Sequence, residues 1–159
     1  MNYLYLYTDM EGKDPISGNI KRLAARLRRP QGASASLIYY PSHQQLDYIL
    51  QKLGTLLVPD TTLVVHNQQY TLDFLLAAAV KTNQPRLYHR LRRCPITAVE
   101  DLVTKTYQND QDPHPITITN LLRNLTSNDP VTSNYPGTHI LSLELLHRTL
   151  LPKPIPGYN

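Results

Sequence analysis

The 159-residue sequence has little cysteine, little glutamate and no long apolar run, and each shortage excludes a class of protein. The single cysteine, Cys94, excludes an intramolecular disulfide framework and any zinc site built from several cysteines. It also favours a reducing, cytoplasmic location. No apolar run approaches the roughly 20 residues of a membrane-spanning helix, so no membrane partner is expected. The opening residues MNYLYLYTDMEG have no basic segment ahead of an apolar one, unlike a signal peptide.

Basic residues are concentrated in two short stretches, although the formal net charge is only +4. Localised positive charge attracts a phosphate backbone, and the alternative is two ordinary solvated surface segments. The first stretch contains Lys21, Arg22, Arg26, Arg28 and Arg29, and the second contains Arg86, Arg90, Arg92 and Arg93. Our candidates for phosphate contacts are Arg22, Arg26, Arg90 and Arg93.

Strand and helix patterns alternate along the chain, which predicts an α/β fold. The predicted strands lie at residues 2–8, 36–40, 61–65 and 96–97. The predicted helices lie at residues 20–27, 46–53 with Ser42 as N-cap and Gly54 as the closing residue, 71–80, 99–106, 116–125 and 140–151. Residues 87–94 are ambiguous. We predict one domain over residues 1–151 and a flexible proline-rich tail over residues 152–159.

Two carboxylates, Asp9 and Glu11, stand where the first predicted strand ends. Residues i and i+2 of a strand point to the same face, so both side chains would project together into the following loop. Such a pair suits a hard divalent cation, because Mg²⁺ prefers oxygen ligands and keeps water or phosphate in its other positions. The alternative is an ordinary solvated acidic turn, since this spacing is common.

A second pattern begins where the apolar strand at residues 63–65 runs into His66 and Asn67, followed by Tyr70 and a helix. A His-Asn pair at a strand end can hydrogen-bond a loop or contact a substrate. Alone, such a pair is more often structural. Tyr70 is a candidate to stack on a base, and its alternative is a place in the apolar core.

A third pattern is His139 with Glu144 five residues later, after the turn expected at Gly137. A histidine just before a helix, with a carboxylate one to two turns along, can place a general base beside a metal ligand. The alternative is a helix-start histidine and an exposed helical glutamate.

The order and spacing of these three patterns resemble the DEDDh 3′–5′ exonucleases, a family that includes epsilon-type proofreading subunits of bacterial DNA polymerase III. Residues 8–12 (TDMEG) resemble its first motif, residues 66–71 (HNQQYT) its H-N-x-x-F/Y-D motif, and residues 139–144 (HILSLE) its H-x-x-x-x-D motif. Residues 95–98 and 116–122 are similar to the strand and helix that lie between. The resemblance covers about residues 3–151 and implies an RNase H-like mixed sheet flanked by helices.

Three positions depart from the family's pattern. Thr71 stands where the second motif has aspartate, and Asp73 lies two positions later, which is a rotation of about 200° on a helix. Glu144 replaces the aspartate of the third motif and is longer by one methylene. The family also has a strand where residues 20–27 show helical spacing.

The resemblance implies hydrolysis of the terminal phosphodiester at the 3′ end of DNA or RNA, with two Mg²⁺ or Mn²⁺ ions. Paired ions can activate the attacking water and stabilise the leaving oxygen. The metal ligands that it implies are Asp9, Glu11 and Glu144, and Asp73 is a further candidate. The resemblance assigns His139 the role of general base.

The resemblance also makes Asn67, with His66, a candidate for contact near the scissile end of the substrate, and Tyr70 remains the candidate to stack on a base. A hinge at residues 136–137 would let His139 move when substrate binds. A polymerase or another replication protein is the protein partner that the family implies.

Two other functions fit the same sequence. The first is an exonuclease-like domain with impaired catalysis that binds nucleic acid or a protein partner, which Thr71 motivates because a missing carboxylate weakens a metal site. The second is a plain α/β interaction module, which requires all three motifs to be accidental.

Overall fold

A central sheet of five strands organises the chain, in the order β3-β2-β1-β4-β5. The computed structural model describes residues 1–32, 34–39, 45–102 and 136–151, with side chains in the last range from residue 139 onwards. Strand β2 is antiparallel to β1 and β3, whereas β4 and β5 run parallel to β1. The strands are β1 (Asn2–Glu11), β2 (Asn19–Arg28), β3 (Ser34–Tyr39), β4 (Thr61–Val65) and β5 (Ile96–Ala98).

Helices cover both faces of this sheet. They are α1 (Leu46–Leu56), α2 (Gln68–Lys81), α3 (Pro85–Arg93) and α4 (Pro136–Leu150), and residues 99–102 are also helical. Because side chains alternate along a strand, Leu4 and Leu6 of β1 pack with α1, α2 and α3, while Tyr5 packs on the other face with Leu143 of α4. The predicted fold class, an RNase H-like mixed sheet flanked by helices, is confirmed.

The helical spacing at residues 20–27 is misleading, because this segment is strand β2, as the family resemblance implied. Strand β2 lies between β1 and β3 and buries side chains on both faces, so its apolar residues do not alternate strictly with polar ones. Leu23, Ala25 and Leu27 face one cluster and Ala24 faces the other. Their spacing fits the i, i+3, i+4 pattern of a helix equally well, which explains the error.

Several element boundaries also differ from the prediction. Helix α2 begins at Gln68, not Thr71, because Asn67 caps it: the Asn67 Oδ1 accepts from the Tyr70 backbone N–H at 3.1 Å. Helix α1 continues through Gly54 to Leu56, and its N-cap is Gln45. The predicted cap at Ser42 lies outside the described residues.

The ambiguous segment at residues 87–94 belongs to α3, which starts with Pro85 in its first turn, where a missing N–H costs nothing. The predicted strand at residues 96–97 is confirmed as β5. The helix predicted at residues 116–125 and the tail at residues 152–159 fall outside the described parts of the chain. Within those parts, no helix is long and apolar enough to cross a membrane.

Candidate functional site

The first two motifs lie at the same edge of the sheet. Strands β1 and β4 are parallel, with Tyr5 opposite Val64, so the residues that follow each strand meet at their carboxyl ends. Asp9 and Glu11 end β1, and His66 and Asn67 follow β4. The Tyr70 hydroxyl joins the two segments by donating to the Gly12 carbonyl at 3.3 Å. This edge is therefore the candidate site.

The turn after β1 is fixed by its own polar groups. The Asp14 carboxylate accepts from the Ile16 backbone N–H at 3.0 Å and from the Ser17 hydroxyl at 2.9 Å. These hydrogen bonds stabilise the charged form and lower the pKa of Asp14. The Lys81 ammonium, at the end of α2, donates to the Gly18 carbonyl at 2.8 Å. The turn is thereby attached to the carboxyl end of α2.

Asp9 forms an ion pair with Arg22, the residue opposite it on β2. The Arg22 Nε donates to the Asp9 Oδ2 at 2.9 Å, and the Arg22 Nη2 donates to the same oxygen. The guanidinium thus balances the carboxylate charge that the first motif was expected to offer to a cation.

Glu144 is held by two other arginines of β2. Its side chain is only 7% exposed, and its carboxylate oxygens lie 2.9 Å from the Arg26 Nε and 2.6 Å from the Arg28 Nε. Arg26 is opposite Tyr5, four residues from Asp9, or about 13 Å along the strand. The alternative of an exposed helical glutamate is therefore wrong, and this carboxylate neutralises arginines away from Asp9.

His139 occupies a different position from Glu144. It lies within α4, not ahead of the helix as predicted, and so does the predicted hinge at residues 136–137. Its imidazole stacks on the Tyr7 ring with a centroid distance of 4.4 Å and an interplanar angle of 7°. Burial, with a smaller contribution from Asp9, raises the pKa of Tyr7. Since Tyr7 is two residues from Asp9, or about 7 Å along the strand, His139 is the part of the third motif nearer the candidate site.

Thr71 and Asp73 project from different sides of α2. Thr71 is 6% exposed and belongs to the buried face of the helix, whereas Asp73 is exposed. Asp73 lines a cleft of about 510 Å³ together with Asn67, Glu100 and Asp101. Asp9 does not line this cleft, so Asp73 does not take the place of the missing second-motif carboxylate.

Glu100 is a residue of this edge that the sequence analysis missed. Its Oε2 accepts from the Asn67 Nδ2 at 2.8 Å, which ties the second motif to the residues after β5. Burial lowers the pKa of His66, and the negative charge of Glu100 opposes that shift. The sequence could have indicated Glu100, because it lies two residues after β5, and the carboxyl ends of the parallel strands β4 and β5 lie at the same edge of the sheet.

The candidate metal ligands do not come together in this structure. Within the described residues, no group of three or more histidine, cysteine, aspartate or glutamate side chains could hold a metal ion. Asp9 and Glu144 are bound by separate arginines, and Asp73 lines another cleft. The residues as arranged here therefore do not fit a site for two ions.

The candidate substrate contacts are divided between the two edges of the sheet. Tyr70 is 44% exposed, so the alternative of a core tyrosine is wrong and its ring is accessible. Arg22 and Arg26 are engaged in the ion pairs with Asp9 and Glu144. Arg90 and Arg93 are exposed on α3, and Arg90 donates to the Gly54 carbonyl at 2.9 Å.

A buried tyrosine–histidine pair, also missed by the sequence analysis, lies between β1 and α4. The Tyr5 hydroxyl and the His147 Nδ1 are 3.0 Å apart. Burial raises the pKa of Tyr5 to about 12, and burial lowers the pKa of His147. Both groups are therefore neutral near pH 7, as a hydrogen bond inside an apolar cluster requires.

Comparison with known proteins shows the fold of this chain. Neither the protein-family models nor the curated proteins gave a match. Among solved structures, E. coli Exonuclease I with a dA16 oligonucleotide is similar, with a TM-score of 0.71, 10% identity and 93% of this chain covered. The same enzyme with a 5cy-dT13 oligonucleotide gives a TM-score of 0.74, 9% identity and 94% coverage. An ExoI/SSB-Ct complex gives a TM-score of 0.68 and 10% identity over 94% of the chain.

The chain spans about two fifths of those exonuclease chains, namely 41%, 40% and 40% of their lengths. The likeness therefore concerns one part of a larger protein in each case. At 9–10% sequence identity, this likeness shows a shared fold, and the activity has to be argued from the residues of this chain.

Proposed function

We propose that this chain is an exonuclease-like domain that acts on the ends of nucleic acid strands. Its reaction is hydrolysis of the terminal phosphodiester at the 3′ end, so that degradation runs in the 3′-to-5′ direction. The observation that supports it is the placement of the first two motifs, Asp9-x-Glu11 and His66-Asn67, at one edge of a sheet with this fold. The similar Exonuclease I structures hold oligonucleotides, which supports a nucleic acid as the substrate.

A second function is supported by a specific observation, the arginine pairs of the carboxylates. In it the domain has impaired catalysis and binds nucleic acid or a protein partner. Asp9 is paired with Arg22, Glu144 is paired with Arg26 and Arg28, and Thr71 carries no charge. Mg²⁺ or Mn²⁺ has to displace these arginines before it can use the carboxylates, which costs affinity because an Arg–carboxylate pair is a strong interaction.

The two functions differ in turnover. The exonuclease requires the purified chain with Mn²⁺ to shorten 5′-labelled single-stranded DNA or RNA from the 3′ end, with loss in EDTA and in Asp9→Asn, whereas the impaired domain requires binding without shortening. The matched control is Asp47→Asn, an exposed acid on α1 that makes the same charge change. Denaturing gel electrophoresis of the labelled products measures the rate and the direction.

Each result has one meaning. Cleavage that is lost in Asp9→Asn and kept in Asp47→Asn supports the exonuclease and excludes the impaired domain. Binding of the same oligonucleotides without any shortening, in either metal, excludes the exonuclease and supports the impaired domain. Absence of both binding and cleavage overturns the exonuclease and the nucleic acid-binding form of the second function, and leaves a domain that binds a protein partner.

A further inference from the structure

Helix α3 presents a dense row of basic side chains to solvent. Leu87 and Leu91 are buried and anchor one side of the helix against the core. The remaining surface, which we call the α3 basic surface, consists of the exposed residues Arg86, His89, Arg90, Arg92 and Arg93. Four arginines and one histidine therefore share this nine-residue helix.

The α3 basic surface is not neutralised by carboxylates in the described parts of the chain. The ion pairs found there engage Arg22, Arg26 and Arg28 of β2, and none involves α3. Arg90 donates to a backbone carbonyl, and the Arg92 guanidinium lies over the Tyr88 ring at 5.8 Å. In the first basic stretch Arg22, Arg26 and Arg28 are thus held in ion pairs, whereas among the described residues no ion pair engages the arginines of α3.

A cleft of about 550 Å³ adjoins the second half of this surface. His89, Arg90 and Arg93 line it, together with Met1, Cys94 and one acid, Asp60. It lies at the amino ends of β1, β4 and β5, which is the sheet edge opposite the candidate site. From Asn2 to Asp9 the separation is seven residues of strand, or about 23 Å.

We propose that the α3 basic surface binds the sugar–phosphate backbone of the same single strand whose end occupies the candidate site. This inference rests on the proposed function. From Arg86 to Arg93 the helix rises about 10 Å, which matches about three phosphates at the spacing of one strand. A base-stacked strand needs about seven further nucleotides to reach the candidate site. The α3 basic surface therefore contributes to the binding of long strands only.

Charge complementarity decides the kind of ligand. A polyanion with regularly spaced charges satisfies a helical row of guanidinium groups, which bind phosphate oxygens in a bidentate manner. A purely structural role is the competing explanation, because basic residues in the last turn of a helix favour its dipole. That role requires effects of substitution on stability and none on binding.

The test compares the double variant Arg92→Gln/Arg93→Gln with wild type. Fluorescence anisotropy measures the affinity for a labelled 20-nucleotide single strand at salt concentrations from about 50 to about 200 mM. Each lost phosphate contact on a single strand lowers the slope of log affinity against log salt by about 0.7, so we expect a fall of about 1.4. The single variant Arg93→Gln is expected to give about half of that fall. The matched control is Lys52→Gln on α1, an exposed single charge that should leave the slope unchanged.

The length of the strand gives a second readout. In wild type the 20-mer should bind more tightly than a 5-mer, and the double variant should lose most of that difference. An unchanged slope in a folded double variant, with wild-type binding intact, overturns this inference and leaves the proposed function standing. Wild-type protein that binds no nucleic acid overturns the proposed function itself. A decaglutamate probe whose binding depends on Arg93, with DNA binding independent of it, overturns the inference in favour of an acidic protein ligand.

Discussion

At the scale of single residues, Gly18 lies in a tight space between the end of β1, the following turn and α2. A Cβ atom there would lie 2.6 Å from the Glu11 carbonyl oxygen, 2.7 Å from the Asp14 carbonyl oxygen and 2.8 Å from a ring carbon of Phe74. Two of these neighbours are backbone atoms, which cannot rotate away. Only glycine therefore fits between these two backbone carbonyls and Phe74 of α2.

Substitution of Gly18 by alanine should destabilise the protein by about 1–3 kcal/mol, the usual cost of forcing an extra methyl group into a packed site. Urea unfolding followed by circular dichroism measures the change. The matched control is Gly54→Ala within α1, where the nearest atom is 3.9 Å away. That variant should be more stable by about 0.5–1 kcal/mol, because alanine favours a helix. Equal effects of the two substitutions would contradict the steric argument.

At the scale of elements, the sequence predicted β1, β4 and β5 because each is a short β-branched or aromatic run bounded by turn residues. It failed for β2, because a strand buried on both faces has no alternation to separate it from a helix. It also placed His139 ahead of α4 rather than inside it. The pairing of Glu144 was not predictable, because the spacing of residues in sequence does not reveal which arginines of β2 face a helix more than 100 residues later.

The ion pairs of Glu144 connect α4 to β2, and their removal should loosen that contact. Glu144→Gln keeps the shape and removes the charge that holds Arg26 and Arg28. The free energy of unfolding should fall by an amount between about 1 kcal/mol, as for an exposed ion pair, and about 3–5 kcal/mol, as for a buried one, because both arginines are partly exposed. Urea unfolding measures this change in free energy, and hydrogen exchange of the α4 backbone amides shows whether the loosening is located in α4.

A comparison variant separates structure from catalysis. Asp9→Asn removes the charge of the more exposed pair with Arg22 and should cost about 1 kcal/mol or less. If Glu144→Gln abolishes nuclease activity while its stability equals that of wild type, the buried ion pairs do not have the structural role described here.

At the scale of the whole molecule, the resemblance of three motifs was enough to predict the fold, and it was not enough to predict how the charges are paired. Order and spacing report which segments follow one another, and the resemblance supplied the fold class, whereas the strand order β3-β2-β1-β4-β5 came only from the structure. Whether a carboxylate at a strand end meets a cation or an arginine depends on the neighbouring strand. Asp9 illustrates this, since its partner Arg22 is set by the register of β1 against β2.

Stability should fall as the pH drops below about 6.5. Burial lowers the pKa of His147 and of His66 in the folded state, whereas in the unfolded chain each has its ordinary value near 6.5. Between the ordinary and the lowered value the unfolded state binds more protons, so stability is complete above 6.5 and decreases through that window. The slope is at most about 1.4 kcal/mol per pH unit for each histidine.

Urea unfolding at a series of pH values between 7.5 and 5 tests this dependence. His147→Asn retains an oxygen that can accept from the Tyr5 hydroxyl but does not titrate, so its profile should be flatter than that of wild type. His66→Asn should remove the remaining part of the slope. A profile of His147→Asn that parallels wild type at every pH would show that the Tyr5–His147 pair makes no contribution.

The two faces of the sheet become covered at different stages of synthesis. The face with Leu4, Leu6 and Leu63 packs against α1, α2 and α3, all complete by residue 93. The face with Tyr5 and Val64 receives Ile140 and Leu146 of α4, which lie 75 and 81 residues after the end of β4. While the chain has been synthesised only as far as β5, the apolar side chains that later pack against α4 are therefore without that helix. Such surface invites aggregation, so we expect this protein to depend on chaperones while it is being translated.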